Sequence, residues 1–179
     1  MDTRIALNDK TVLRFENSTV EYTIQNELAR GGASIVYNAF YTDNIGDKKL
    51  ILIKECYPFK LEISRGNTGN LIPAESDMAK FEQAKERMRK AYKIGNELFK
   101  TDGLTNSIAN TYNLYKSNNT VYIVSAYSQG NMLSCNAINS LKEGISIVKS
   151  AAIVIQKIHN KGYLYLDIKP DNIFTFKET

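Results

Sequence analysis

The chain has 179 residues, 43% of them apolar and 23% charged, the size of one domain with enough apolar content to bury a core. Its net charge of +4 comes from lysines spread along the sequence without a dense basic tract, which argues against a nucleic-acid surface. No apolar run approaches the roughly 20 residues that cross a bilayer, and residues 1–10 lack the apolar stretch of a secretion signal, so no membrane segment is expected.

Residues 11–15 and 20–24 read as strands joined by the polar turn Glu16-Asn17-Ser18. In the second, Val20, Tyr22 and Ile24 alternate with Glu21 and Thr23, the period of a half-buried strand. Residues 28–37 read as strand, glycine turn, strand, the last running on to Tyr41, and a polar loop over 42–47 leads to a strand at 50–55. Such short consecutive strands favour an antiparallel sheet. Residues 61–73, with Gly66, Asn67, Gly69 and Asn70, read as a loop. A long amphipathic helix is expected over 77–100, where Phe81, Ala84, Met88, Ala91, Gly95 and Leu98 recur at three- and four-residue spacing. Residues 112–115 and 121–124 flank Lys116-Ser117-Asn118-Asn119 as a hairpin. Residues 127–140 are polar. A second helix over 141–159 places Leu141, Ile145, Val148, Ala152 and Ile155 on one stripe. The cysteines, Cys56 and Cys135, form no C-x-x-C pair, which suits a reducing, cytoplasmic setting better than a disulfide scaffold.

Three segments carry chemistry. Near the C-terminus, Asp167, Lys169 and Asn172 stand at offsets D-x-K-x-x-N. They supply a base, a charge clamp and a metal ligand, the groups that act on a hydroxyl and a phosphate; Pro170-Asp171-Asn172 also reads as an ordinary polar turn. Upstream, Gly31 and Gly32 let backbone amides approach phosphate oxygens without an intervening Cβ. Between them in sequence, Lys54 ends the apolar run Ile51-Leu52-Ile53, where an inward ammonium would need a partner. The only histidine, His159, closes the second helix, where the dipole favours it.

Taken together over residues 22–172, these segments resemble the protein kinase family, specifically bacterial Ser/Thr kinases. The resemblance implies an α+β protein kinase-like fold and a single partial domain over 1–179. It comprises an antiparallel five-stranded N-lobe with one long helix (1–126), a hinge (127–140) and the start of a helical C-lobe (141–179). It implies ATP and Mg²⁺ as cofactors and a protein as substrate. Gly31 and Gly32 would cover the phosphates, with Ala29 and Ser34 standing where the family's first and third glycines fall, and Val36 would pack on adenine. Lys54 would contact the α- and β-phosphates, held by Glu97 of the long helix, or failing that Glu86. The Ala126 carbonyl and the Ser128 amide would read the adenine edge, and Ser125 implies a roomy back pocket. Asp167 would orient the substrate hydroxyl, Lys169 would neutralise the γ-phosphate, and Asn172 would hold Mg²⁺.

Tyr165 and Leu166 replace the histidine and arginine of the family's H-R-D, so control through a phosphorylated loop is not expected. Residues 173–179 contain no aspartate of a D-F-G motif. The chain is therefore expected to be a fragment that binds nucleotide weakly and turns over negligibly alone. The left-open stripe on the second helix implies self-association or a missing C-terminal half. The implied function is ATP-dependent phosphorylation of protein hydroxyls; the alternative is an inactive, pseudokinase-like nucleotide-binding or interaction module. Small-molecule phosphotransferases of the aminoglycoside-kinase kind usually lack a lysine at the position of Lys169.

Overall fold

In the computed structural model, which describes residues 2–101, 103–105, 107–127, 130–133 and 138–175, period-two alternation builds the main sheet. Its strands are β1 (Val12–Leu13), β2 (Tyr22–Arg30), β3 (Ser34–Thr42), β4 (Lys48–Cys56), β7 (Thr111–Ser117) and β8 (Thr120–Ala126), in the order β1-β2-β3-β4-β8-β7. Every neighbouring pair is antiparallel. Five long strands form the body of the sheet, and the two-residue β1 adds a short sixth at its edge. Between β7 and β8 the turn is only Asn118-Asn119, both at positive φ, as a two-residue hairpin turn that matches strand twist requires. Register shifts in β2, between Ile24 and Asn26 and between Glu27 and Ala29, bend that strand and raise its twist.

Most of the core lies on one face of this sheet. Ile24, Ile35, Tyr37, Ile51, Ile53, Tyr122 and Val124 are buried there, and Phe81 and Met88 of helix α1 (Met78–Phe99) join the same cluster. On β4, Ile51, Ile53 and Glu55 share that face by period two. Glu55 is fully buried, which is tolerable only because its carboxylate is saturated. Arg65 grips it bidentately, Nη1 to Oε1 at 3.0 Å and Nη2 to Oε2 at 2.6 Å. The hydroxyls of Tyr122 and Tyr37 donate to the same oxygens at 2.9 and 2.8 Å. Burial is the largest influence on Arg65 and opposes its charge, but the hydrogen bond and negative charge of Glu55, with Tyr37 and Tyr122, together outweigh it and hold the guanidinium's pKa above its usual value.

Arg65 lies where a loop was expected. Residues 61–73 contain a hairpin, β5 (Ile63–Arg65) with β6 (Leu71–Pro73), turning through Gly69 at positive φ. It docks on the β7–β8 turn: the Leu71 amide donates to the Asn118 carbonyl, and the Asn119 side chain donates to the Leu71 carbonyl.

The residues divide into two compact units, 1–97 with 109–127, and 98–108 with 128–179. Residues 98–108, placed in the first lobe by the sequence reading, belong to the second unit, where Lys157 Nζ donates to the Gly103 carbonyl at 3.1 Å. The second unit holds helix α2 (Leu141–Asn160). Ser140 caps it by accepting from the Glu143 amide at 3.1 Å, and the Glu143 carboxylate reaches back to accept from the Asn139 amide, one residue before the cap, at 2.8 Å. Leu141, Ile145 and Val148 of its apolar stripe are exposed, while Ile158 is buried. Within 127–140, expected as hinge, β9 (Asn131–Met132) pairs with β10 (Phe174–Thr175).

Removing Glu55 would strand a buried guanidinium. Glu55→Ala is expected to lower unfolding free energy by about 3–5 kcal/mol, read from denaturant unfolding, and Glu55→Gln by less.

Candidate functional site

Cross-strand register assembles the candidate residues of the first unit. Ala29 pairs with Val36, Val36 with Lys54, and Lys54 with Ile123, so four strands contribute one row of side chains. This row lies on the face opposite Ile53 and Glu55, because neighbours along a strand point to opposite sides. Two residues along, Asn38, Leu52 and Ser125 form the next row of that face. Val36, Leu52 and Ser125 are half-buried and Lys54 is exposed. Ala126 ends β8, paired with Ile51, and its amide donates to the Asn110 carbonyl at 2.9 Å. Ser128 lies outside the described residues.

The expected glutamate partner of Lys54 is not in place. Lys54 makes no ion pair among the described residues. Glu97 is exposed, and Glu86 pairs with Arg89 at 3.0 Å. An ammonium that keeps its water does not need a counter-ion, which is the physical difference from a buried lysine.

The glycine turn is tied through its carbonyls. The Gly32 carbonyl accepts from the Phe59 amide at 2.9 Å, that of Ala33 from the Tyr57 amide at 3.1 Å, and that of Ser34 from the Gly31 amide at 2.9 Å. Arg4 Nη2 donates to the Gly31 carbonyl at 3.0 Å. The N–H groups of Gly32 and Ala33 meet no acceptor among the described residues, and both residues are exposed. In a trans peptide the N–H points away from the preceding carbonyl, so these two amides face away from the groups that hold the turn. A Cβ on Gly32 would meet nothing within 4 Å, and Gly32 is not at positive φ. Neither packing nor backbone conformation demands glycine there; the bare backbone leaves room for the close approach of an anionic group.

In the second unit the three polar groups of the 167–172 loop do converge. Asn172 Nδ2 donates to the Asp167 carbonyl at 2.8 Å and to its Oδ2 at 2.7 Å. Lys169 Nζ stands 3.6 Å from Oδ1. A single 3-10 turn over Pro170–Asn172 makes this possible, closed by the Asn172 amide on the Lys169 carbonyl at 3.0 Å and opened by proline at its first position. Downstream, the Leu133 amide donates to the Ile173 carbonyl at 2.8 Å, extending the β9–β10 ladder. With its nitrogen spent on Asp167, the Asn172 carboxamide turns its oxygen elsewhere. That oxygen suits one position of a Mg²⁺ shell, which takes only oxygen ligands and retains water and phosphate at the others.

Sequence reasoning missed Glu55, Arg65 and Arg4. For Glu55 there was a signal: it falls in phase with Ile51 and Ile53, so a charge on the buried face had to have a partner.

No protein-family model matches the chain. A serine/threonine-protein kinase D of Synechocystis sp. is 28% identical over 153 residues, covering 85% of this chain and 26% of that protein. Among solved structures, the apo form of PpkA-294 superposes with a TM-score of 0.70 at 24% identity, over 94% of this chain and 57% of that one. Vaccinia related kinase 3 gives 0.55 at 16% identity, over 96% and 48%. The chain has a protein kinase-like fold. It spans about a quarter of the length of the kinase D relative.

In this kinase-like fold Cys56 is a buried free thiol on the Lys54 side of β4. Burial pushes it up to about 11, against an opposing pull from Lys85. Since the folded thiol ionises later than the unfolded one, its contribution to stability persists below pH 9 and is lost as pH rises toward 11. Cys56 is expected to resist iodoacetamide at pH 8 in the native protein and to react on unfolding. Between pH 9 and 11 the melting temperature is expected to fall less steeply for Cys56→Ala than for the parent.

Proposed function

We propose that this domain belongs to an ATP-dependent Ser/Thr protein kinase that moves the γ-phosphoryl group of ATP to a protein hydroxyl in the cytoplasm. The observation that carries the reading is the Asp167 carboxylate, held by Asn172 and flanked by Lys169 within one turn. Asp167 accepts the proton of the substrate hydroxyl as its oxygen attacks the γ-phosphorus; the bond to the β-phosphate oxygen breaks and ADP leaves. Lys169 offsets charge on the transferred group. Asn172 Oδ1 would ligate Mg²⁺, which supplies charge neutralisation across the phosphates when bound. In the first unit, Lys54 binds the α- and β-phosphates, the Gly32 and Ala33 amides receive phosphate oxygens, and Val36 and Ala126 border the adenine. The likeness to a serine/threonine-protein kinase of Synechocystis sp. supports a protein as substrate.

A second reading, an inactive nucleotide-binding or interaction module, is favoured by one feature: Lys54 has no glutamate partner among the described residues.

Two substitutions in the full-length gene product separate these readings. Asp167→Asn is expected to keep ATP affinity within about twofold while lowering phosphotransfer by about 10²–10⁴-fold. Lys54→Met is expected to reduce both. ATP binding to the parent without transfer to any protein would establish the inactive nucleotide-binding module, and absence of ATP binding would remove the kinase reading and leave only an interaction module. The exposed stripe of Leu141, Ile145 and Val148 leads to a further expectation, that the 179-residue chain alone self-associates. Size-exclusion chromatography with light scattering checks it, and Val148→Glu should shift the population toward monomer.

A further inference from the structure

Arg4 is the least expected buried group of the first unit. It is 7% exposed, and all five of its N–H donors are spent. Nε and Nη2 bind the Asp2 carboxylate, Nη2 also donates to the Gly31 carbonyl at 3.0 Å, and Nη1 donates to the carbonyls of Tyr57 and Ser34. Its plane lies against the rings of Tyr57 and Phe59, 5.9 and 5.6 Å from their centroids. Tyr57 and Phe59 are the residues whose amides hold the Ala33 and Gly32 carbonyls. One side chain therefore touches both the turn and the segment that anchors it.

The rest of the N-terminal segment is fastened as firmly. Arg30 donates to the Arg4 carbonyl at 2.8 Å and stands 3.4 Å from Asp2. Arg65 Nε donates to the Ile5 carbonyl at 2.7 Å, and the Leu7 amide donates to the Tyr37 hydroxyl at 3.1 Å. The hydrogen bond from Arg4 keeps the Asp2 carboxyl well below the usual carboxylate range, so the pair stays ionised in mild acid.

We infer that residues 2–7 form a strap through which Arg4 sets the shape of the Gly31–Ser34 turn, and with it the aim of the Gly32 and Ala33 amides at the phosphates of a nucleotide. The inference rests on the nucleotide-binding reading above. Neither Gly31 nor Gly32 is at positive φ, so the turn does not take its form from left-handed glycine. Its carbonyls are held from outside instead, and the guanidinium supplies the donor for Gly31. Rotating the Gly31–Gly32 peptide would move the Gly32 amide, because the two groups belong to one plane. Arg4 is buried behind the turn and is a positioning residue. It does not itself touch the ligand.

The test uses Arg4→Gln and the milder Asp2→Ala in the full-length gene product, with Mg·ATP and adenosine as probes and amide exchange as an independent reading. Arg4→Gln is expected to weaken Mg·ATP about tenfold and leave adenosine within about twofold, since only the phosphates meet the turn. It is also expected to speed exchange of the Gly31, Tyr57 and Phe59 amides. Asp2→Ala should act in the same direction with smaller size, and it decides the matter if Arg4→Gln does not fold. Equal loss for ATP and adenosine would assign Arg4 a structural role alone and overturn the strap, as would unchanged ATP affinity. If the parent binds neither probe, the nucleotide reading falls, and exchange alone decides whether Arg4 holds the turn: faster upholds it, unchanged overturns it.

Discussion

A carboxylate with no access to water sits at the centre of the first unit, and the Glu55–Arg65 pair governs what surrounds it. Taking both ions out of water is costly, and only near-complete hydrogen bonding offsets that cost. Here the partners come from everywhere. Arg65 arrives on the β5–β6 hairpin, Tyr37 on β3 and Tyr122 on β8. None of these segments can shift without leaving a charge or hydroxyl unpaired in the interior. The pair also fixes the register of β4. A slip of one residue would carry Glu55 to the open face and drive Lys54 into the core. The exposed position of Lys54 is thus a consequence of what its neighbour requires.

The same logic extends to the turn between β2 and β3. Arg65 holds Ile5 and Arg4 holds Gly31, so two guanidinium forks place an N-terminal segment that has little regular structure of its own. A planar fork with fixed donor directions can join several carbonyls at once, which a lysine cannot. The outcome is a turn whose acceptors are all engaged on the protein side while two donors remain open to solvent.

How much of this was legible in sequence depended on range. β3 and β4 and the two helices carry strong periodicity, and the Asn118-Asn119 turn carries its own chemistry, so each could be read within a few residues. The β5–β6 hairpin could not, because strands of three residues hold no measurable alternation and its glycines and asparagines imitate a loop. The pairing of Glu55 with Arg65 spans a turn that sequence did not specify. Arg4 meets residues 27 and 53 positions away, beyond any local pattern. The Glu97 expectation rested on the family resemblance, and a resemblance cannot say whether the lysine it serves is buried.

The loop from Asp167 to Asn172 stands apart because its geometry is nearly self-contained. Asn172 is held by the main chain and side chain of Asp167, and the 3-10 turn that brings it there is closed by Lys169 and begun by Pro170. Tyr165 and Leu166, which stand where protein kinases carry a histidine and an arginine, contribute to none of these bonds. Leu166 is 87% exposed and Tyr165 39%, so neither is packed as a brace. On the kinase reading proposed above, the replacements would remove support and switching while leaving the relation among carboxylate, ammonium and carboxamide intact. That is the expected pattern for a site whose chemistry needs positioning over six residues. Its regulation, by contrast, needs partners from farther along the fold.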